Sequence, residues 1–266
     1  MTCLLARPPC HPPVPACPTL LRLVRNTGLA ALLLVAAHAE DQVSEYKKLS
    51  LQDLMDLEVT SVSKRPEKLA DSPSAIQVVT GDDIRRSGAT SIPEALRLAD
   101  NLQVAQKGSQ GWAISARGFN TDLSNKLLVL MDGRTVYSPL FSGVFWDAQD
   151  YVLEDIDRIE VISGPGGTLW GANAVNGVIN ITTKSAQDTQ GLYTEAGGGT
   201  WLQDFAGVRY GGTLSSNVYY RVYGKYFDRG DEALPNGDNA SDSWRMGQGG
   251  FRIDTDAQLQ DAFTLQ

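Results

Sequence analysis

The segment Val218 to Phe227 (VYYRVYGKYF) constrains this chain more than any other. Side chains alternate along an extended strand, so its two faces can be read directly. One face carries Val218, Tyr220, Val222, Gly224 and Tyr226; the other carries Tyr219, Arg221, Tyr223, Lys225 and Phe227. The charges fall on one face only, and tyrosines cluster toward both ends. A barrel strand with lipid on one side and aromatic girdles at its interfaces has this pattern. A soluble antiparallel sandwich alternates in the same way. Phe205 to Gly212 and Gly249 to Thr255 are weaker examples, and Arg229 to Asp242 reads as a polar loop. From about Gln190 onward, helical periodicity is absent.

The N-terminus reads as an export signal. Arg22 and Arg25 precede a short apolar run, Leu29 to Ala37, and Ala37-His38-Ala39 forms a small-residue cleavage site. Residues 1–39 are therefore read as a leader with an atypical, Pro-rich extension. Beyond it no stretch approaches the roughly 20 apolar residues of a spanning helix, so any passage through a membrane must use strands.

The leader also carries all three cysteines (Cys3, Cys10, Cys17) and both histidines (His11, His38). Past it the chain has no thiol nucleophile, no His-based triad and no imidazole metal site, and it is expected to be no enzyme and to hold no cofactor. The adjacent acids Glu154, Asp155 and Asp157 read as a solvated polar turn. Net charge is −8. An acidic exported chain lacks the basic footprint of a nucleic-acid binder.

Glu40 to Asp71 is polar and reads as a tether. From Ser72 to about Ala186 the pattern is mixed α and β. Ala75 to Thr80 is a strand; Thr80 then caps a helix that Gly88 ends. Ser91-Ile92-Pro93-Glu94 reads as a capping box opening a helix to about Ala99. Leu127 to Met131 is a buried strand, turned by Asp132-Gly133 into a hairpin. Ile156 to Ile162 and Val178 to Thr183 are further strands.

Within this span four strings occur in order: Ile114-Ser115-Ala116-Arg117-Gly118-Phe119, Leu128-Val129-Leu130-Met131-Asp132-Gly133-Arg134, Ile156-Asp157-Arg158-Ile159-Glu160-Val161-Ile162 followed by Gly164-Pro165, and Trp170-Gly171-Ala172-Asn173-Ala174-Val175-Asn176-Gly177-Val178-Ile179-Asn180-Ile181. As a set they resemble the plug domain of TonB-dependent outer-membrane receptors. The resemblance implies an α+β plug over residues 72–186, followed in 187–266 by the first antiparallel strands of a transmembrane barrel. In that family the plug blocks a barrel of about 22 strands. About four or five strands of some 9–11 residues fit after Ala186, so the sequence is expected to be the N-terminal part of a longer receptor.

Further expectations follow from the resemblance. TonB, driven from the inner membrane, captures a short N-terminal segment by strand addition. Leu57, Glu58, Val59, Thr60, Ser61, Val62 and Ser63 are extended, β-prone and correctly placed for this TonB box. Plug arginines pair with barrel glutamates in the family. Arg117 matches one such position; at the other this chain has Ser163, so that either Arg158 substitutes or the lock is weaker. Trp112, Tyr137, Phe141, Phe145 and Trp146 are an aromatic group in loops and are the ligand-contact candidates. Gly118, Gly133, Gly164, Gly171 and Gly177 read as structural glycines at tight turns. The run Gly164-Pro165-Gly166-Gly167 lacks the Gly-Lys-Ser/Thr of a phosphate loop. The implied function is uptake of a scarce ligand, a ferric siderophore first, across the outer membrane. A soluble periplasmic plug-like binding protein and a TonB-dependent signal transducer are the alternatives. For the transducer, Glu40 to Leu57 leaves little room for the extra domain.

Overall fold

The computed structural model describes residues 58–59, 67–68, 75–255 and 263–266. The leader, most of the tether and all of the TonB-box segment except Glu58 and Val59 lie outside the described residues.

An α+β domain comes first. Strands β1 (Glu58–Val59) and β2 (Glu67–Lys68) pair antiparallel. Next come β3 (Ala75–Thr80), the helix Gly81–Ser87, the helical turn Ile92–Ala95 continued as a 3-10 turn Leu96–Leu98, and β4 (Leu102–Lys107) with β5 (Gly111–Ala116). Strands β6 (Leu127–Met131), β7 (Arg134–Thr135), β8 (Ile156–Ser163) and β9 (Gly177–Thr183) complete it, with a short helix Gly167–Trp170 between the last two. The main sheet runs in the order β3-β8-β9-β6-β7 and is mixed, because β6 and β9 are parallel.

Local chemistry explains these elements. Thr80 and Asp83 form a reciprocal capping box: the Asp83 amide donates to Thr80 Oγ1 at 3.2 Å, and the Thr80 amide donates to Asp83 Oδ2 at 3.0 Å. Gly88 closes the helix with φ +71°. The second predicted capping box differs. Ser91 makes no side-chain cap; Glu94 Oε2 instead accepts from the Thr90 amide at 2.6 Å and the Thr90 hydroxyl at 2.8 Å. The donor to Glu94 is thus Thr90, one residue before the Ser91 that the sequence pattern suggested.

The run Leu127–Met131 is buried on both sides. Leu127, Val129 and Met131 face the core shared with Ile84, Ile92, Leu96, Ile159 and Ile181. Leu128 and Leu130 face a second cluster with Ile162, Ala174 and Val178. A strand covered on both faces needs no alternation, which is why this one is continuous in sequence. Asp132 and Gly133 both have positive φ, +45° and +78°, as a two-residue hairpin turn requires. Gly177 answers to a different constraint: a Cβ there would lie 2.6 Å from the Ile162 carbonyl oxygen on β8.

A second sheet follows: β10 (Gly191–Gly197), β11 (Leu202–Ser215), β12 (Val218–Arg229), β13 (Trp244–Thr255) and β14 (Thr264–Leu265), all antiparallel and in sequence order. It is open, and the described strands do not close into a barrel. No helix among the described residues is long and apolar enough to cross a membrane. Strands β4, β5 and β10 were not signalled by the sequence pattern. Gln106 to Trp112 is the tip of the β4–β5 hairpin, and β10 (GLYTEAG) has too little apolar content to announce itself.

The faces of β12 divide as its alternation predicts. Val222 and Tyr226 are exposed, while Arg221, Lys225, Phe227 and Arg229 are buried. Neighbouring strands repeat the split, with Val208 and Tyr210 outward on β11, Phe251 outward on β13, and Arg209 inward. Register places Tyr210 beside Val222 and Val222 beside Phe251, so the outward side chains form one apolar surface.

Candidate functional site

Charges buried on the inner face of the second sheet must find partners, because an isolated guanidinium or ammonium cannot be left dry. They find them on the first domain. Asp155, 1% exposed, receives Arg209 Nη1 at 2.7 Å and lies 3.5 Å from Arg221 Nε. Arg221 also donates to the Lys184 carbonyl (3.0 Å) and the Thr183 hydroxyl (3.2 Å). Arg252 bridges Asp132 (3.6 Å), Asp254 (2.7 Å) and Thr183 Oγ1 (2.8 Å). Lys225 Nζ meets Asp150 Oδ2 at 2.8 Å and the Tyr151 carbonyl at 3.0 Å. The result is a continuous polar seam between the domain and three consecutive strands. Burial pushes the carboxyls of Asp155 and Asp150 up; the attraction of Arg221 and Arg209, and of Lys225, opposes it.

Above this seam the loop Gly230–Ser243 meets the β4–β5 turn. Asp242 Oδ2 accepts from the Ser109 amide at 2.8 Å, and Oδ1 accepts from the Glu232 amide at 2.9 Å. The Glu232 amide, then the Ser109 amide, hold the Asp242 carboxyl below the ordinary carboxylate range. A depressed folded pKa stabilises above the unfolded value, near 4 for Asp, and that contribution is lost as pH falls through the folded value. Pepsin should therefore cut the loop near Leu234 faster as pH drops below about 4. In Asp242→Asn the cut should be fast throughout, once corrected for pepsin's own pH profile. Equal pH dependence in both proteins would rule the contact out as the cause.

The predicted site residues are distributed unevenly. Glu58 and Val59 are docked on β2, paired with Lys68 and Glu67, and Val59 is fully buried; Leu57, Thr60, Ser61, Val62 and Ser63 lie outside the described residues. Arg117 is exposed with φ +57°, and its guanidinium lies over the Gly164 turn. Arg158 is held on its own strand by Asp157 (2.6 Å) and Glu160 (2.8 Å). Of the aromatic group, Trp112 and Trp146 are core side chains, each 5% exposed; the indole of Trp112 lies under Arg97. Tyr137 and Phe145 are half-buried and Phe141 is 52% exposed. Phe141 and Phe145 pack edge to face at 5.0 Å. Gly118, Gly133, Gly164 and Gly171 all have positive φ.

Asp155 is a correction. Read as part of a solvated turn, it is the most deeply engaged carboxylate in the seam. Its neighbours Glu154 and Asp157 are nearer the surface, Glu154 paired with Arg85 and Lys184. Sequence reasoning also passed over Asp132, Asp150, Arg209, Arg221, Lys225, Arg252, Ser109 and Asp242. One signal was available: the cations of Val218–Phe227 share a single face, and a buried face with cations calls for acids opposite. Across the seam the acids Asp132, Asp150 and Asp155 lie on the domain and their cations Arg209, Arg221, Lys225 and Arg252 on the strands. No group of side chains among the described residues is arranged to hold a metal ion.

Comparison with known proteins follows the same division. The model of the TonB-dependent receptor plug domain matches residues 68–178. The vitamin B12 transporter BtuB of Vibrio vulnificus is 32% identical over 150 residues, 56% of this chain and 24% of that protein. BtuB of Vibrio cholerae is 31% identical over 183 residues, 66% of this chain and 29% of that protein. The chain thus spans under a third of the length of these curated relatives. Among solved structures, the pyoverdine outer membrane receptor FpvA of Pseudomonas aeruginosa superposes with a TM-score of 0.62 at 20% identity, over 78% of this chain and 29% of that one. The ferric-catecholate import receptor Fiu of E. coli K12 gives 0.58 at 20% identity, over 76% and 27%.

Proposed function

The chain belongs to the TonB-dependent receptors through its plug domain, and from that premise we propose that it forms the gated N-terminal part of an outer-membrane transporter. The observation that carries this is the two-faced second sheet. Its outer surface is apolar and suited to lipid, while its inner surface is bonded to the α+β domain through buried ion pairs. A plug against a barrel wall accounts for both. The role is passage and gating rather than catalysis. A cleft of about 250 Å³, lined by Arg85, Glu154, Tyr193, Phe205 and Lys225 among others, separates the helix Gly81–Ser87 from the wall and is a place where the plug has room to shift.

We infer that the ligand is a scarce metal chelate too large for open pores, a ferric siderophore first. Tyr137, Phe141 and Phe145 are the ligand-facing aromatics on this reading. Cobalamin is the second reading, favoured by the similarity to BtuB of two Vibrio species. Binding of each ligand class to the receptor carrying the complete barrel separates them. Arg117, exposed beside Gly164, is proposed to pair with barrel strands beyond those described here; Arg158, already occupied, serves as a lock only by giving up Asp157.

Leu57 to Ser63 is proposed as the TonB box. Val59 is buried in the resting arrangement, so the segment is best tested as a peptide against the periplasmic domain of TonB. Strand addition needs backbone N–H groups, and proline removes one. Val59→Pro should weaken binding about tenfold or more, roughly 1.4 kcal/mol. Unchanged affinity would mean that TonB grips another part of the chain.

A further inference from the structure

Ser109 stands at the tip of the β4–β5 hairpin, where a serine is ordinarily solvated, yet it is fully buried. All three of its polar groups are spent on the segment Arg229 to Asp242. Its amide donates to Asp242 Oδ2 at 2.8 Å, its hydroxyl donates to the Gly230 carbonyl at 2.7 Å, and its carbonyl accepts from Arg229 Nη1 at 3.4 Å. Gln106 on the same hairpin donates to Glu232 Oε1 at 3.2 Å. The residue before Ser109 is fitted to the same contact. Gly108 has φ +73°, and a Cβ there would lie 2.7 Å from Asp242 Oδ2.

The loop is itself folded around this point. Asp242 Oδ1 holds the Glu232 amide, Asp231 Oδ1 accepts from the Ser243 amide at 2.8 Å, and the Ala240 amide donates to the Glu232 carbonyl at 2.8 Å. One carboxylate thus closes the loop on itself with one oxygen and grips the plug with the other. A carboxylate accepting backbone amides makes the stronger class of hydrogen bond.

We propose that Asp242 is a clasp that joins the loop between β12 and β13 to the plug's hairpin tip, so that the two open and close as a single unit. A ligand that displaces the loop would then loosen the plug at Ser109. A plug drawn away from the wall would in turn release the loop. This consequence rests on the reading of the chain as a plugged receptor; the clasp itself does not, and it is tested without ligand or TonB.

The test is hydrogen exchange followed by mass spectrometry on the full chain and three variants. Asp242→Asn removes the charge from the loop side, and Gly108→Ala pushes the carboxylate away from the plug side. In both, exchange should rise about tenfold or more over residues 107–111 and over 231–243 together. Exchange in β6, Leu127–Met131, should stay at the wild-type rate. Asp238→Asn, which removes the charge only from the loop-tip bond to Asn236, should leave 107–111 untouched. Faster exchange confined to the loop, unchanged exchange in both segments, or loosening of Leu127–Met131 in both clasp variants would overturn the proposal. In those outcomes the receptor reading still stands, because it rests on the ion-pair seam and the sheet's two faces.

Discussion

Asp155→Ala is expected to cost the folded chain about 3–5 kcal/mol, the range for removing one partner of a buried ion pair. The loss comes mainly from what is left behind. Arg209 is 9% exposed and Arg221 2%, and Asp155 is the carboxylate nearest both. Without it two guanidiniums share a dry seam with no acid between them. Hydrogen bonds from Arg221 to Thr183 and Lys184 persist, but they neutralise no charge. Arg209→Ala should cost less, because Asp155 keeps Arg221. The surface pair Lys107–Asp122, with side chains 72% and 59% exposed, sets the contrast. Asp122→Ala should stay within about 1 kcal/mol of the parent. Urea unfolding followed by tryptophan emission reads all three. If Asp155→Ala unfolds with the same midpoint as Asp122→Ala, the seam does not hold the plug.

How far this was legible in the sequence depends on the range of the forces involved. The Thr80 cap, the Gly88 stop, the Asp132-Gly133 turn and the strand Leu127–Met131 rest on contacts within a few residues, and each was readable. The two faces of Val218–Phe227 were readable for the same reason. Asp155 was not: its burial is decided by Arg209, 54 residues away, and nothing near it in the chain signals that partner. Ser109 and Asp242 lie 133 residues apart, so the clasp has no local trace beyond a glycine before the serine. That Glu94 accepts from Thr90 and not from Ser91 is a smaller failure of the same kind, since Ser91 is buried. Sequence therefore spoke for the locally determined elements and for the polarity of the two faces of Val218–Phe227. The seam between the two sheets appeared only when they were brought together.

Trp146→Ala and Phe141→Ala should separate packing from recognition among the aromatics that the sequence grouped together. Trp146 is 5% exposed in the cluster that includes Trp112, Ile114, Val144 and Val136. Truncating it opens a large cavity in a core that cannot collapse freely around sheet backbone, and the expected cost is about 3–5 kcal/mol. Its effect on ligand binding should follow that instability and disappear where the protein is fully folded. Phe141 has half its surface in solvent and packs edge to face on Phe145, so its removal should cost about 1 kcal/mol or less. Any loss of ligand affinity in Phe141→Ala would then be direct. Urea midpoints of the two variants, set beside binding in the receptor with its complete barrel, give the comparison. A stable Trp146→Ala with weakened binding would return Trp146 to the ligand surface. It would also mean that the core around Val144 is looser than its burial implies.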